Sequence, residues 1–254
     1  MDWRILQRRE VDMNYLILKI WTQTASFRVP EFQNFHKSFL LPPPTTVIGL
    51  AGAALGLSPK SSQDFFDGSS IKLGVFGKSD GYAIDLWKFK KKNNNKTNDQ
   101  RDFIEDILRR EIHFNNVYLI LFASENSELI DKLRSAFENP KYALTFGTSD
   151  ALAKISILDN FEEHELDEVE NCLIEGDIIS EVVENVHNGL EFSIYSTSEP
   201  IVYDLPVKFQ YESDYGVRRV VERKKYSFVG KKMKLNIKIS GVYADDKFIP
   251  IISI

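Results

Sequence analysis

The chain has 254 residues, with 32 Lys and Arg against 37 Asp and Glu for a formal net charge of −5, and 43% of it is hydrophobic, including 12% aromatics. That is enough apolar material for one large domain, or for a core domain with a small appendage, and the lone Cys172 excludes an internal disulfide framework and fits a reducing cytoplasm. No run approaches the roughly 18 apolar residues of a membrane span, and the N-terminal MDWRILQRRE lacks the apolar stretch of a signal peptide, so a cytosolic protein without a membrane partner is expected.

Asn14–Thr22 (NYLILKIWT) is apolar with β-branched and aromatic residues and reads as a buried strand. A polar, aromatic loop follows from Gln23 to Leu41. Pro42-Pro43-Pro44 then stops regular structure, and Thr45-Thr46 offers N-cap hydroxyls to a helix over about Thr46–Leu55. Gly49 and Gly52 each cost that helix about 1 kcal/mol relative to alanine, which predicts another backbone packed close by. Ile71–Phe76 and Tyr82–Phe89 read as strands joined by a turn at Gly77–Gly81. Lys90–Gln100 is polar and of low complexity. Phe103, Ile104, Ile107, Leu108 and Ile112 stand at helical spacing, so Arg101–Ile112 is expected as a helix or an ordered arm.

Val117–Ala123 is a second buried strand, and Leu129, Ile130, Leu133 and Phe137 mark an amphipathic helix ending near Asn139-Pro140. A glycine loop, Phe146–Asp150, leads to a strand near Lys154–Leu158. From residue 187 onward, short β-like runs broken by Pro and Gly suggest a small β region. The order matches an α+β, ferredoxin-like βαββαβ unit with an insertion. The expected division is 1–186, with the insertion at about 77–114, and 187–254.

The charge is unevenly spread. Residues 159–184 hold eleven Asp and Glu and no Lys or Arg, whereas 217–238 hold nine Lys and Arg against Glu222 alone. A third run, 86–101, carries Lys88, Lys90, Lys91, Lys92, Lys96 and Arg101 against Asp99. Basic stripes attract RNA and an acidic one faces away or meets a basic partner, although solvated surfaces give the same pattern.

Catalytic motifs fail. Gly74–Ser79 (GVFGKS) has Lys72 where a phosphate-binding loop needs its first glycine, and it lies in a hairpin. His36, His113, His164 and His187 are scattered, and Cys172 has no partner cysteine, so neither a zinc site nor another metal or cofactor is expected. No GxSxG elbow or HExxH helix is present.

The informative segment is Phe35–Leu57, FHKSFLLPPPTTVIGLAGAALGL. It resembles the N-terminal signature of the CRISPR-associated Cas Five family, in which a Ser-aromatic pair, prolines and a small-residue helix follow the first strand. Arg109–Phe122 (RREIHFNNVYLILF) resembles the family's Arg-Glu-hydrophobic motif, and Asn139–Ile155 its Gly-x-Ser loop; Glu199–Phe209 is a weaker match to its Tyr-x-x-Pro element. The resemblance covers about residues 14–158. It implies a RAMP-superfamily protein with a modified RNA-recognition fold, acting as a non-catalytic Cascade subunit of a type I system, with I-B as the expected subtype. Such a subunit binds the 5′ handle of the crRNA, reaches the backbone subunit through an inserted thumb, and touches the large subunit and target DNA. One branch of the family cleaves repeat RNA without metal using Tyr, Lys and His. Here only His36-Lys37 are His/Lys neighbours, so the enzyme is the runner-up and a protein-only interaction module the third reading.

A helix N-terminus at Thr45 and Thr46 suits an RNA phosphate, and Phe32, Phe35 or His36 suits a splayed base. The RNA-binding candidates are therefore Arg28, His36, Lys37, Ser38, Thr45, Thr46, Lys88, Lys90, Lys91, Lys92, Arg109, Arg110, Thr148, Ser149 and Lys154. The same residues have plainer readings. Phe32 and Phe35 also fit a core, the threonines simple capping, the arginines pairs with Glu105 or Glu111, and the Gly147 loop an ordinary turn.

Overall fold

The computed structural model describes residues 13–32, 34–92, 103–185 and 199–254. In chain order they form β1 (Asn14–Ala25), β2 (Phe35–His36), α1 (Pro44–Leu55), α2 (Pro59–Asp67), β3 (Lys72–Lys78), β4 (Gly81–Lys92), β5 (Phe103–Ser124) and α3 (Ser127–Glu138). Then follow β6 (Ala153–Leu158), β7 (Glu162–Val169), β8 (Cys172–Glu175), β9 (Val182–Asn185), β10 (Ile201–Tyr211), β11 (Arg218–Val229), β12 (Met233–Ala244) and β13 (Lys247–Pro250). The result is a mixed α/β protein dominated by sheet.

Among the described residues, one nine-stranded sheet runs β10-β11-β8-β3-β5-β1-β6, with β2 and β4 also paired to β5. A second sheet joins β13, β12, β7 and β9. The continuous apolar run of β1 follows from burial on both faces. Leu16, Leu18 and Ile20 pack with Val47 and Leu50 of α1 and Leu133 and Phe137 of α3. Ile17, on the other face, packs with Val242 and Ile249 of the second sheet. Strand alternation thus feeds two different cores.

Residues 103–112 are an arm and not a helix. β4 and β5 pair antiparallel from Gly81–Phe114 to Lys92–Phe103, and β5 continues without a break to Ser124. The ladder to β4 satisfies every second backbone group and overrides the helical spacing of the apolar residues; Ile107 lies on one hairpin face and Leu108 and Ile112 on the other. β4 leaves β3 at Lys78 and pairs with β5, so the turn at Gly77–Gly81 does not close a β3–β4 hairpin. The run 93–100 lies outside the described residues.

Helix α1 starts at Pro44, two residues earlier than its threonines suggest. Pro43 occupies the N-cap and no side chain caps it; the Thr46 amide donates to the Pro43 carbonyl at 2.9 Å. Proline at the first helical position already supplies the helical φ, leaving the Thr45 and Thr46 hydroxyls within the first turn. Of the two glycines, only Gly52 is close to a neighbour: a Cβ there falls 2.0 Å from Ser62 Oγ on α2, whereas at Gly49 nothing stands within 4 Å.

The chain from Ile201 onward divides between the sheets. Leu205, Val207, Tyr226 and Phe228 join the main core through β8, while β12 and β13 build the second sheet. The opposed charge runs meet there. Lys232 pairs with Glu168 and Lys234 with Asp167 across β12 and β7, and Lys225 pairs with Asp177. Arg219 pairs with Glu212, just past β10, and Arg223 with Asp204 of β10. Much of the basic run is therefore answered within the chain.

Candidate nucleic-acid interface

The loop after β1 is closed on itself. Val29 and Phe39 donate to the carbonyls of Lys37 and Phe27 at 2.8 and 2.7 Å, and Arg28 bridges Ser38. β2 then lies parallel to β5, Phe35 beside Arg109 and His36 beside Arg110. This brings the loop against the root of the β4/β5 hairpin. Between them opens a groove of about 510 Å³ lined by Arg28, Asn34, His36, Trp87, Phe89, Asp106, Ile107 and Leu108.

Arg110 organises the groove. Its side chain is only 14% exposed; it donates to Asp85 at 2.8 Å and Asp150 at 3.4 Å. Its guanidinium also stands 5.5 Å from the Trp87 ring centroid. The expected partners Glu105 and Glu111 are thus replaced by Asp85 and Asp150, which the fold supplies from β4 and the glycine loop. The Thr148 hydroxyl first, and the nearby Arg110 less strongly, hold the Asp150 carboxyl below its ordinary range. Trp87 meets Phe89 at 5.4 Å and His36 at 6.5 Å. Burial first, then Arg28 and Arg110, lowers the pKa of His36. A neutral imidazole, an indole and the Arg28 guanidinium on one wall can stack bases and meet a phosphate, with Arg110 behind holding the indole in place.

The structure sorts the remaining candidates. Arg109 lies over Phe35 at 5.8 Å and Lys37 over Phe32 at 5.5 Å, at the edge of the same loop. Ser38 is buried, with its hydroxyl accepting from Phe27 N–H and donating to the Phe39 carbonyl, both at 2.9 Å; it holds the loop closed and faces no ligand. Lys88 pairs with Glu105 at 2.7 Å, and Lys90 lies 3.9 Å from the same carboxylate. The side chains of Lys91 and Lys92 lie outside the described residues. Ser149 is exposed beside Asp150 on the glycine loop. Thr45 lines a separate small cavity with Gly49, Gln63, Phe209 and Arg218, away from the groove. Thr46 is beside it on α1, and Lys154 sits on β6, opposite Trp21.

Trp87 and Phe89 are the contributors that sequence reasoning missed. Their signal was two aromatic residues alternating with Asp85 and basic residues in a strand of a protruding arm. Among the described residues no three His, Cys, Asp or Glu side chains come together in a group able to hold a metal. None of the described helices is long and apolar enough to cross a membrane.

The sheet-rich α/β fold is similar to that of one solved CRISPR protein. A chain of a "CRISPR RNA-guided surveillance complex" superposes with a TM-score of 0.52 at 12% identity, covering 88% of this chain and 92% of that one. A protein described as "Cas protein" aligns at 17% identity and a TM-score of 0.35 over 54% of this chain, which spans 58% of that protein's length. A chain of a Type III-B Cmr-beta complex bound to cognate target RNA gives 13% identity and a TM-score of 0.44, covering 87% and 86% of the two chains. No curated protein matches the sequence. The sequence profile of the CRISPR-associated protein (Cas_Cas5) family matches residues 15–221, and the chain belongs to that family.

Proposed function

We propose that this protein is the non-catalytic subunit of a type I Cascade, of subtype I-B, that holds the 5′ handle of the crRNA and scaffolds the complex in the cytoplasm. Membership of the Cas5 family supports a crRNA-binding role. The observation that carries the handle reading is the groove in which Arg28, His36 and Trp87 face one opening at the root of the hairpin. The strand order β6-β1-β5-β3, all antiparallel, with α1 and α3 packed on one face, supports the ferredoxin-like reading of residues 1–186. Of the C-terminal region 187–254, the described residues 199–254 are β-rich and share both sheets. The hairpin is the thumb. Tyr82, Ile84 and Leu86 are exposed on the face turned from Trp87, a surface suited to the backbone subunit, with the large subunit and target DNA as further partners. Sequencing the RNA that co-purifies with the protein tests the proposal. Uniform repeat-derived 5′ ends are expected; RNA-free protein would favour a protein-only module.

The runner-up, metal-independent cleavage of repeat RNA, draws on His36, whose lowered pKa leaves it neutral and able to take a proton. Incubation with repeat RNA in EDTA or Mg²⁺ is expected to give no product. A specific cut abolished by His36→Ala would reverse the assignment.

Two further results are expected at this site. A handle phosphate near His36 favours imidazolium, so binding takes up a proton. Affinity should then rise as pH falls from about 6.5, the ordinary histidine value, through the lowered value of the free protein. A His36→Gln protein should show a flat profile in fluorescence anisotropy between pH 5 and 8. Replacing Lys88, Lys90, Lys91 and Lys92 with Gln should weaken binding and flatten its salt dependence while leaving sequence preference intact. Four free lysines would change the log–log slope by about 2.8. Because Lys88 and Lys90 are engaged by Glu105, a smaller change of about 1.5 to 2 is expected. An unchanged slope would mean that the lysines do not follow the RNA backbone.

A further inference from the structure

One row of the main sheet remains bare on the face that the second sheet otherwise covers. Lys78 of β3 is in register with Val117 of β5, Val117 with Trp21 of β1, and Trp21 with Lys154 of β6. Residues at matched positions on adjacent strands point to the same side, so these four side chains form a line across the sheet. The neighbouring row, Phe76, Leu119 and Lys19, begins the region over which β12 and β13 pack. Trp21 is 45% exposed, and Lys78 and Lys154 are exposed. Around Trp21, Lys19, Lys154 and Ser156 line a shallow depression of about 400 Å³.

The charges here are not spent. Lys19 is held by Asp245 at 2.7 Å. Lys78 and Lys154, in contrast, have no ion pair among the described residues, and Trp21 has no aromatic or cationic partner there. A docking face for a protein core would ring an exposed indole with apolar side chains. Here the surroundings are ammonium groups, a hydroxyl and the exposed amide of Gln23, with the half-buried Val117 as the one apolar neighbour in the row. With strands about 4.8 Å apart, one lysine is adjacent to the indole and the other about 10 Å away on its far side. Aromatic rings flanked by cations on an open sheet are the means by which single strands are held: bases stack, and phosphates meet the flanking charges.

We infer that the Trp21 row is a second RNA-contact site, distinct from the hairpin groove, where one base of a single strand of RNA stacks on Trp21 and its flanking phosphates meet Lys154 and Lys78. Ser156 provides a hydroxyl for the 2′-OH, the group that separates RNA from DNA. Stacking without a matched set of base-edge partners makes the site tolerant of sequence. None of its residues lines the groove at the hairpin, so the two sites succeed or fail separately.

The test uses the full chain with Trp3→Phe and Trp87→Phe, which leaves Trp21 as the only tryptophan. Titration with a 12-nucleotide oligouridine should quench its fluorescence saturably. In the otherwise unaltered protein, Trp21→Ala should weaken oligouridine binding about 5- to 150-fold. Trp21→Phe should retain most of the affinity, and Lys154→Gln should reduce the log–log salt slope by about 0.7. Absence of quenching overturns the inference even where Trp21→Ala fails to fold. Equal or stronger quenching by oligothymidine DNA overturns the choice of RNA. Unchanged RNA affinity in a folded Trp21→Ala protein, with loss of a protein partner, assigns the face to protein docking and also overturns it. Loss of handle binding in Trp87→Ala with Trp21 quenching intact leaves the inference standing, since that result concerns the groove alone.

Discussion

Replacing Trp87 with alanine is expected to weaken binding of handle RNA by one to two orders of magnitude while hardly changing stability. Trp87 is 44% exposed on the hairpin and belongs to none of the buried clusters, so its removal opens no core cavity. A base stacked on an aromatic side chain is worth about 1–3 kcal/mol. The indole also provides the surface against which Arg110 is laid at 5.5 Å, and a cation–π contact in a partly dry setting adds about 0.5–2 kcal/mol to holding that wall in place. Trp87→Phe should recover most of the affinity. Leu86→Ala, on the opposite face of the same strand, should leave handle binding within about twofold, because stacking and burial are separable there. Anisotropy with labelled handle RNA, alongside thermal melts, checks all three. Equal affinity of Trp87→Ala and parent would remove the groove from RNA binding.

Gly147→Ala is expected to be the most damaging conservative change near the site. Gly147 has φ +98°, and an added Cβ would stand 2.9 Å from the Ser26 nitrogen and 3.0 Å from the Ser26 oxygen. Both are backbone atoms of the segment that leads into the Arg28–Ser38 loop, so neither can swing aside. Strain at positive φ together with overpacking costs about 2–4 kcal/mol, and in a chain of this size about 5–15 °C of melting temperature. The adjacent Phe146 is fully buried against Phe27 and Tyr118. The loop therefore cannot relax without either lifting that ring or drawing Asp150 from Arg110. Handle binding should weaken as well, whereas Ser149→Ala, at an exposed position two residues on, should melt like the parent. A Gly147→Ala protein melting within about 1 °C of the parent would show that the approach to Ser26 is not tight.

Much of the architecture could be read from local pattern. The apolar run of β1 and the helical spacing of Leu129, Ile130, Leu133 and Phe137 declare elements whose burial repeats at the strand or helix period. The segments Phe35–Leu57, Arg109–Phe122 and Asn139–Ile155 carried the family, and in the structure they lie together: β2 beside β5, and the glycine loop against Arg110. Which residues of those segments share a groove was less legible. His36 lines it and Arg110 stands beside it against Trp87, but Thr45 and Lys154 lie elsewhere, because a motif states residue types in order and says nothing of the side to which each faces.

Residue order by itself determined the apolar runs, the proline stop before α1, the glycine loop at Phe146–Asp150 and the resemblance to Cas5 proteins, since each depends on neighbours a few positions apart. Only the tertiary structure decided the rest. Phe103–Ile112 became strand because a distant partner, β4, offered a ladder of hydrogen bonds. The basic run of β11 and β12 was largely neutralised because β7, β10 and the segments just after β8 and β10 brought acids across from it. Trp21 was left exposed within a strand that is otherwise mostly buried because the second sheet stops one row short of it. Each outcome turns on contacts between residues far apart in the chain, whose energies exceed the local preferences that the sequence displays.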